Sequence, residues 1–303
     1  MTERVNIQEV GLRDGLQMVK RTLPTVTKTE WIAAQAAVGF RAIEVTSFVP
    51  PALLPQFADA AEVMAAANKT PNLTAAALAL NLKGAVNALA AGSPKLTFVL
   101  SASEAHNHSN VRCNTEASLG VFSDVIAHAG DTDTQIGVAI ATSFGCSLQG
   151  DVSEDRVVEL AQLLEQAGAR EITLADTVGY ANPAQVKRLF NRVAQRVKIP
   201  LAAHFHDTRG MGLANVVAAL DTGVRSFDAS LGGLGGCPFA PGASGNIATE
   251  DCVYLIESMG FSTGINLDGL LDLRHQLADW LPDETLSGRL GVAGPARTFQ
   301  SLN

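Results

Sequence analysis

Short apolar, β-branched runs alternate with longer stretches of helical periodicity from one end of the chain to the other. Residues 5–10, 42–47, 73–78, 96–102, 134–142, 171–175, 201–205 and 226–231 read as eight strands. Between them, residues 28–38, 53–67, 84–91, 116–129, 153–168, 183–197 and 212–222 carry apolar positions at helical spacing, with small or capping residues at their ends. An eighth helix is expected over 248–259 and a further helical segment over Leu267–Trp280. Strands alternating with helices at intervals of roughly 25–40 residues imply parallel strands joined by crossovers. Eight such units suit an α/β fold of the closed (β/α)8 TIM-barrel type with an additional C-terminal helical segment. An open doubly wound sheet is the alternative, and it is disfavoured because no strand leads into a Gly-x-Gly-x-x-Gly turn.

Composition narrows this picture without changing it. The 303 residues, 47% hydrophobic and 17% charged, suffice for a sizeable core. No linker or low-complexity stretch divides them, so residues 1–285 are expected to form one catalytic domain, with 286–303 as a partly mobile tail. A formal net charge of −8 argues against a nucleic-acid partner. No apolar run approaches the roughly 20 residues that span a bilayer, and the first ten residues lack a signal-peptide pattern. The expectation is a cytoplasmic chain with no membrane partner. Cys113, Cys146, Cys237 and Cys252 are too irregularly spaced for a disulfide framework or a zinc knuckle.

The candidate chemistry sits where strands end. In Ala203-His204-Phe205-His206-Asp207-Thr208 two imidazoles stand two residues apart, so on a strand both point to one face with Phe205 opposite. That spacing lets two ring nitrogens reach one ion. The first strand runs into Glu9-Val10-Gly11-Leu12-Arg13-Asp14-Gly15-Leu16-Gln17, where glycines let the backbone turn around Arg13 and Asp14. A surface ion pair would look the same in sequence. On a barrel, however, Asp14 shares the mouth with both imidazoles, and a carboxylate with two imidazoles is a common set for a divalent ion. The glycine-rich run 232–246 contains Cys237 and ends at Asn246, which offers a fourth oxygen. So many glycines imply a loop that approaches a ligand with its backbone or moves as a lid.

Taken together these residues resemble the 3-hydroxy-3-methylglutaryl-CoA lyase family of metal-dependent barrels. The resemblance extends over nearly the whole chain, through Arg13-Asp14-Gly15-Leu16-Gln17, Ile43-Glu44-Val45-Thr46-Ser47-Phe48, Ser101-Ala102-Ser103-Glu104, Leu174-Ala175-Asp176-Thr177-Val178-Gly179 and His204-Phe205-His206-Asp207-Thr208. Gly232-Gly233-Leu234-Gly235-Gly236-Cys237-Pro238-Phe239-Ala240 is its most specific signature, since related synthases and aldolases lack this loop. The resemblance implies Asp14, His204, His206 and Asn246 as ligands of Mg²⁺ or Mn²⁺. It implies Arg13 as the partner of the thioester oxygen, with Gln17 beside it as substrate-binding, and Cys237 as the acid. Glu44 and Asp176 are implied as supporting polar residues. The implied activity is carbon–carbon cleavage of 3-hydroxy-3-methylglutaryl-CoA to acetyl-CoA and acetoacetate, a step of leucine degradation, by a homodimer or higher oligomer. Another 3-hydroxyacyl-CoA, such as citramalyl-CoA or a longer 3-hydroxy-3-alkylglutaryl-CoA, would engage the same residues, and a related aldolase or synthase shares the barrel. The hydroxyl proton could go to Asp14, to His204 or to a water on the metal.

Several positions depart from the usual lyase pattern. Leu12 stands for proline, Met18-Val19 for Asn-Glu, Ser147-Leu148 for Pro-Tyr, and Arg112 for asparagine. All fall in expected βα loops and not at the donors, so they bear on the choice of acyl group. Arg112 could meet a substrate carboxylate or a CoA phosphate, or face solvent. Cys113, Cys146 and Cys252 read as packing residues, Trp31 and Trp280 as core or interface. His106, His108, His128 and His275 read as solvated or capping residues, and Asp207 as fixing its loop.

Overall fold

The apolar runs form the staves of a closed parallel barrel. A computed structural model describes residues 2–236 and 245–302. The strands are β1 (Asn6–Glu9), β2 (Ala42–Ser47), β3 (Thr74–Ala79), β4 (Lys95–Ser101), β5 (Gln135–Ala141), β6 (Ile172–Asp176), β7 (Leu201–Phe205) and β8 (Ser226–Ala229). They pair in chain order, and β8 closes on β1. Around them lie α1 (Thr25–Ala37), α2 (Ala60–Ala67), α3 (Leu82–Ala90), α4 (Glu104–Val111), α5 (Thr115–Ala129), α6 (Glu154–Gln166), α7 (Pro183–Ala194), α8 (Gly212–Leu220), α9 (Thr249–Ser258), α10 (Leu267–Trp280) and α11 (Leu290–Ala293).

Alternation along each strand divides its residues between two environments. In β5, Ile136, Val138 and Ile140 enter the apolar layer between sheet and helices, leaving Gly137, Ala139 and Ala141 to the barrel axis. In β7, Phe205 lies 6.0 Å from Phe144, which in turn lies 6.3 Å from Phe190 on α7, so the flanking imidazoles point the other way. The His-X-His expectation of one shared face is therefore met by packing on the opposite one.

Two segments differ from expectation. The helix expected over 53–67 is broken, because Pro55 opens a 3-10 turn, Pro55–Phe57, and α2 begins only at Ala60. The loop expected around His106 and His108 contains α4, whose N-cap Ser103 accepts a bond from His106 N. Its eight residues carry no apolar stripe, so periodicity misses it. Residues within 286–302, in the segment expected to be a partly mobile tail, make contacts with the barrel. Asp251 accepts from the N–H groups of Arg289 and Leu290 (2.7 and 2.8 Å), and Phe299 packs 4.8 Å from Tyr254. Trp31 is fully buried and stacks at 6.0 Å on Trp280, which fastens α10 to α1. Among the described residues no helix is long and apolar enough to cross a membrane.

Candidate active site

The C-terminal ends of β1, β2, β7 and β8 bring the candidate residues into one mouth. After β1 the chain makes a single π-helical turn, Gly11–Gly15, in which Asp14 N and Gly15 N both donate to Val10 O. This wide turn presents Arg13 and Asp14 inward. Gly11 belongs there because a Cβ would meet Glu9 Oε1 at 2.7 Å. Arg13 donates through Nε to Glu44 on β2 and through Nη1 to Asp14 Oδ1 (2.8 Å).

Asp14, His204 and His206 offer ligand atoms that all lie within 4.8 Å of one another. Asp14 Oδ2 is 3.6 Å from His206 Nε2 and 3.8 Å from His204 Nε2. Asn246 joins them because residues 245–248 run back across the ends of β7 and β8. His206 bridges to Asn246, Ile247 N donates to Phe205 O, and Ser230 N donates to Ile247 O. Asn246 Nδ2 donates to Asp14 Oδ2 (2.7 Å) and to Leu234 O (3.3 Å). Those two acceptors fix which end of the amide is which. Its Oδ1 is left buried with no hydrogen-bond partner among the described residues. An orphaned amide oxygen beside two imidazoles and a carboxylate fits a hard divalent cation.

The electrostatics agree. Three carboxylates, Asp14, Glu44 and Asp228, face one guanidinium, an excess of negative charge that a divalent cation would offset. Burial would push the Asp14 carboxyl up, but Arg13 and the imidazoles hold it well below the usual carboxylate range. Burial pushes Glu44 up, Arg13 pulls it back, and the Asp228 charge adds to the upward push. For His204, burial acts downward and is outweighed only by the hydrogen bond to Asp228 together with the charges of Asp14 and Asp228, leaving it raised.

Other expected residues have different places. Asp176 closes β6, and both of its oxygens accept backbone N–H groups, from Tyr180 (2.8 Å) and Ala181 (3.0 Å), so it shapes the β6–α7 loop. Gln17 is half-buried just past the π turn. Cys237 lies outside the described residues. Asp207 does fix its loop, accepting from Gly212 N (2.7 Å). His106 is buried, not solvated, and its Nδ1 lies 3.1 Å from Ser101 Oγ. Cys146 and Cys252 are buried, and burial pushes the Cys252 thiol up to about 12. Met18 and Leu148 are exposed, and Arg112, also exposed, ends α4 in the left-handed region (φ 60°).

Sequence reasoning missed two residues that organise the site. Asp228 on β8 places Oδ2 3.2 Å from His204 Nδ1 and accepts from Gln8 Nε2 (3.1 Å). Metal-binding imidazoles commonly have such a carboxylate behind them. Glu9 is fully buried and accepts from Gly11 N, Leu231 N and Thr249 Oγ1, tying the β1 turn to both stems of the glycine-rich run. The available signal was the placement of polar residues on short apolar strands. Glu9 and Asp228 both interrupt such runs.

Comparison with known proteins gives a consistent result. A family model described as HMGL-like matches residues 4–277. A hydroxymethylglutaryl-CoA lyase of Bacillus subtilis (strain 168) is 40% identical over 299 residues, 98% of this chain and 97% of that protein. The mitochondrial hydroxymethylglutaryl-CoA lyase of Gallus gallus is 41% identical over 271 residues, 89% of this chain and 91% of that one. Among solved structures, an HMG-CoA lyase from Acinetobacter baumannii in complex with coenzyme A and 3-methylmalate aligns with a TM-score of 0.92 at 41% identity. The alignment covers 99% of this chain and 98% of that one.

Proposed function

The chain belongs to the HMGL-like family, and on that premise we infer that it is a carbon–carbon lyase cleaving 3-hydroxy-3-methylglutaryl-CoA to acetyl-CoA and acetoacetate. The observation that carries the reading is the convergence of Asp14, His204 and His206 beside Arg13, with Asn246 bonded to Asp14. In this reaction the C3 hydroxyl gives up its proton and becomes a ketone as the C2–C3 bond breaks. The bonding pair passes to C2 and on to the thioester oxygen, and C2 then takes a proton to complete acetyl-CoA. Asp14, His204, His206 and Asn246 would hold Mg²⁺ or Mn²⁺, which when bound supplies a Lewis acid that acidifies and orients the tertiary alcohol. An Asp14 carboxyl held low stays ionised, which suits a ligand.

Arg13 stabilises the charge on the thioester oxygen. Glu44 and Asp14 take its Nε and Nη1, which fixes the plane of the guanidinium and leaves Nη2 for the oxygen. Gln17, one turn further on, lines the approach to it. Cys237 supplies the proton to C2, and Glu44 and Asp176 support the mouth. The chain acts in the cytoplasm as a homo-oligomer, in leucine degradation.

The test is acetyl-CoA release from 3-hydroxy-3-methylglutaryl-CoA and citramalyl-CoA side by side, with Mn²⁺ or Mg²⁺ and with chelator. Turnover of the first that needs metal is the expected result. Preference for citramalyl-CoA would keep the mechanism and assign Leu12, Met18, Arg112 and Leu148 to acyl selection, and inactivity on both would overturn the lyase reading.

A further inference from the structure

The glycine-rich run begins with backbone in conformations that favour glycine, held from within by a single 3-10 turn. Gly232 and Gly233 are consecutive residues in the left-handed region (φ 64° and 62°), and Gly235 follows at φ 124°. Glycine has the most conformational freedom to lose on folding, so such a stem needs support from outside. The support comes from the segment just beyond α10. Ser287 N donates to Gly232 O (2.7 Å), and Gly232 N donates to Glu250 Oε2 (3.0 Å). Arg274 on α10 donates through Nε to Glu250 Oε1 (2.8 Å) and through Nη2 to Ser287 O (3.1 Å). These four bonds close a ring, Gly232–Glu250–Arg274–Ser287, around a buried ion pair. Side chains fill what remains. A Cβ on Gly232 would meet Leu286 at 3.0 Å, and one on Gly233 would overlap Ser287 Oγ.

The far side of the same stem faces the donors. Leu234 O accepts from Asn246 Nδ2 (3.3 Å), and together with the Nδ2 bond to Asp14 Oδ2 this holds the amide of Asn246 in one orientation. A Cβ on Gly233 would lie 3.1 Å from Asn246 O, and one on Gly235 would lie 2.8 Å from Asn246 Nδ2 and 3.3 Å from Asp14 O. The tail is itself anchored, through Asp251 at its N-terminal end and Glu257, which accepts from Ser301 Oγ (3.0 Å), near its C-terminal end.

We propose that Leu286 and Ser287, with Arg274 and Glu250, form a clamp that positions Asn246 as a metal donor by fixing Gly232, Gly233 and Leu234. The inference rests on the reading of Asn246 as a ligand. Arg274, Glu250 and Ser287 are positioning residues, since none of them reaches the donors directly.

The test is Mn²⁺ affinity, read as free Mn²⁺ by electron paramagnetic resonance, in the full-length chain. The variants are Ser287→Pro, which removes the amide donor, Arg274→Met, Arg274→Lys and Leu286→Ala, with Asn246→Ala as reference. The expected result is a Kd for Mn²⁺ raised about tenfold in Ser287→Pro and Arg274→Met. Circular dichroism stays native, Arg274→Lys recovers part of the affinity, and kcat returns at saturating Mn²⁺. A damaged fold would not recover in that way. Should Arg274→Met fail to fold, Ser287→Pro and Leu286→Ala decide, because both leave the buried ion pair intact. Wild-type affinity in the folded clamp variants, alongside loss in Asn246→Ala, would overturn the clamp alone. Wild-type affinity in Asn246→Ala would overturn the ligand reading and the clamp with it.

Discussion

Asp228 turns His204 from a strand residue into an oriented donor. With Oδ2 3.2 Å from Nδ1, it sets the ring's tilt and leaves Nε2 toward Asp14. Asp228→Asn is expected to weaken Mn²⁺ binding or lower kcat/KM by about 10–100-fold, with native circular dichroism. An unchanged Kd and kcat/KM would show that β8 alone orients the ring. Glu9 gives a prediction in pH. Burial pushes its carboxyl up from 4.5 to about 7, against three hydrogen bonds that favour the charge. A raised carboxyl favours the folded state while protonated, so its contribution is complete below about pH 4.5 and is lost as pH rises through about 7. The loss is on the order of 3 kcal/mol. Glu9→Gln keeps an oxygen for the two backbone N–H groups and cannot ionise. Urea midpoints at pH 5 and pH 8 are expected to differ more in the wild type than in this variant, and equal differences would overturn the assignment. At this scale the sequence made the grouping of Asp14, His204 and His206 legible, because strand alternation and a glycine-flanked turn are local signals, whereas Asn246 entered as a ligand only through the resemblance. Asp228 and Glu9 act through partners more than 20 and more than 200 residues away, which exist only once β8 lies between β7 and β1.

Elements were readable wherever a period ran long enough. The eight strands and α10 follow from alternation and helical spacing, and the ends shift by a residue or two where fraying and capping decide them. What escaped reading was set by tertiary contact. α4 forms because Ser103 caps it and because Asn107 is locked to Ser101 N and Ser118 Oγ (2.9 and 2.8 Å). The polar composition beyond α10 hides a stretch, residues 287–290, whose backbone bonds to Asp251, Arg274 and Gly232. Left-handed glycines make this measurable. Gly233→Ala adds both backbone strain and a collision with Ser287 Oγ, whereas Gly223→Ala, at φ 92° with nothing near its Cβ, adds strain alone. Strain of that kind costs about 1–3 kcal/mol. Denaturation is expected to show Gly233→Ala as the less stable of the two, and equal losses would mean that Ser287 moves aside freely.

The barrel as a whole is thinly paired on its functional side. β1 meets β2 through Gln8↔Ala42 and Glu9↔Ile43, and β7 meets β8 through Ala203↔Phe227 and His204↔Asp228, whereas β4 and β5 pair continuously from Lys95↔Gln135 to Ser101↔Ala141. Side chains reinforce these seams: Arg13 to Glu44 joins β1 to β2, and Gln8 to Asp228 to His204 joins β1 to β8 to β7. The proposed donor set runs from β7 across β8 to β1, since Asp14 follows β1, His204 and His206 belong to β7 and the residue after it, and Asn246 follows β8. An ion held by all four residues would therefore cross-link the short β7–β8 seam and the β8–β1 seam beside it. Any ligand bound only by the folded state stabilises it by mass action, about 2.7 kcal/mol at one hundred times its Kd. Mn²⁺ at that excess is expected to raise the melting temperature, chelator to reverse it, and Asp14→Ala to abolish it. Amide hydrogen exchange should slow most in β1 and β8 and least in β4 and β5, because the latter strands already open only with the whole domain. Uniform slowing around the barrel, or the same thermal shift in Asp14→Ala, would place the ion's effect elsewhere on the molecule. A barrel that leaves one arc short of ladder bonds gives its catalytic mouth side chains free to meet a substrate, and stability there then depends on what the mouth binds.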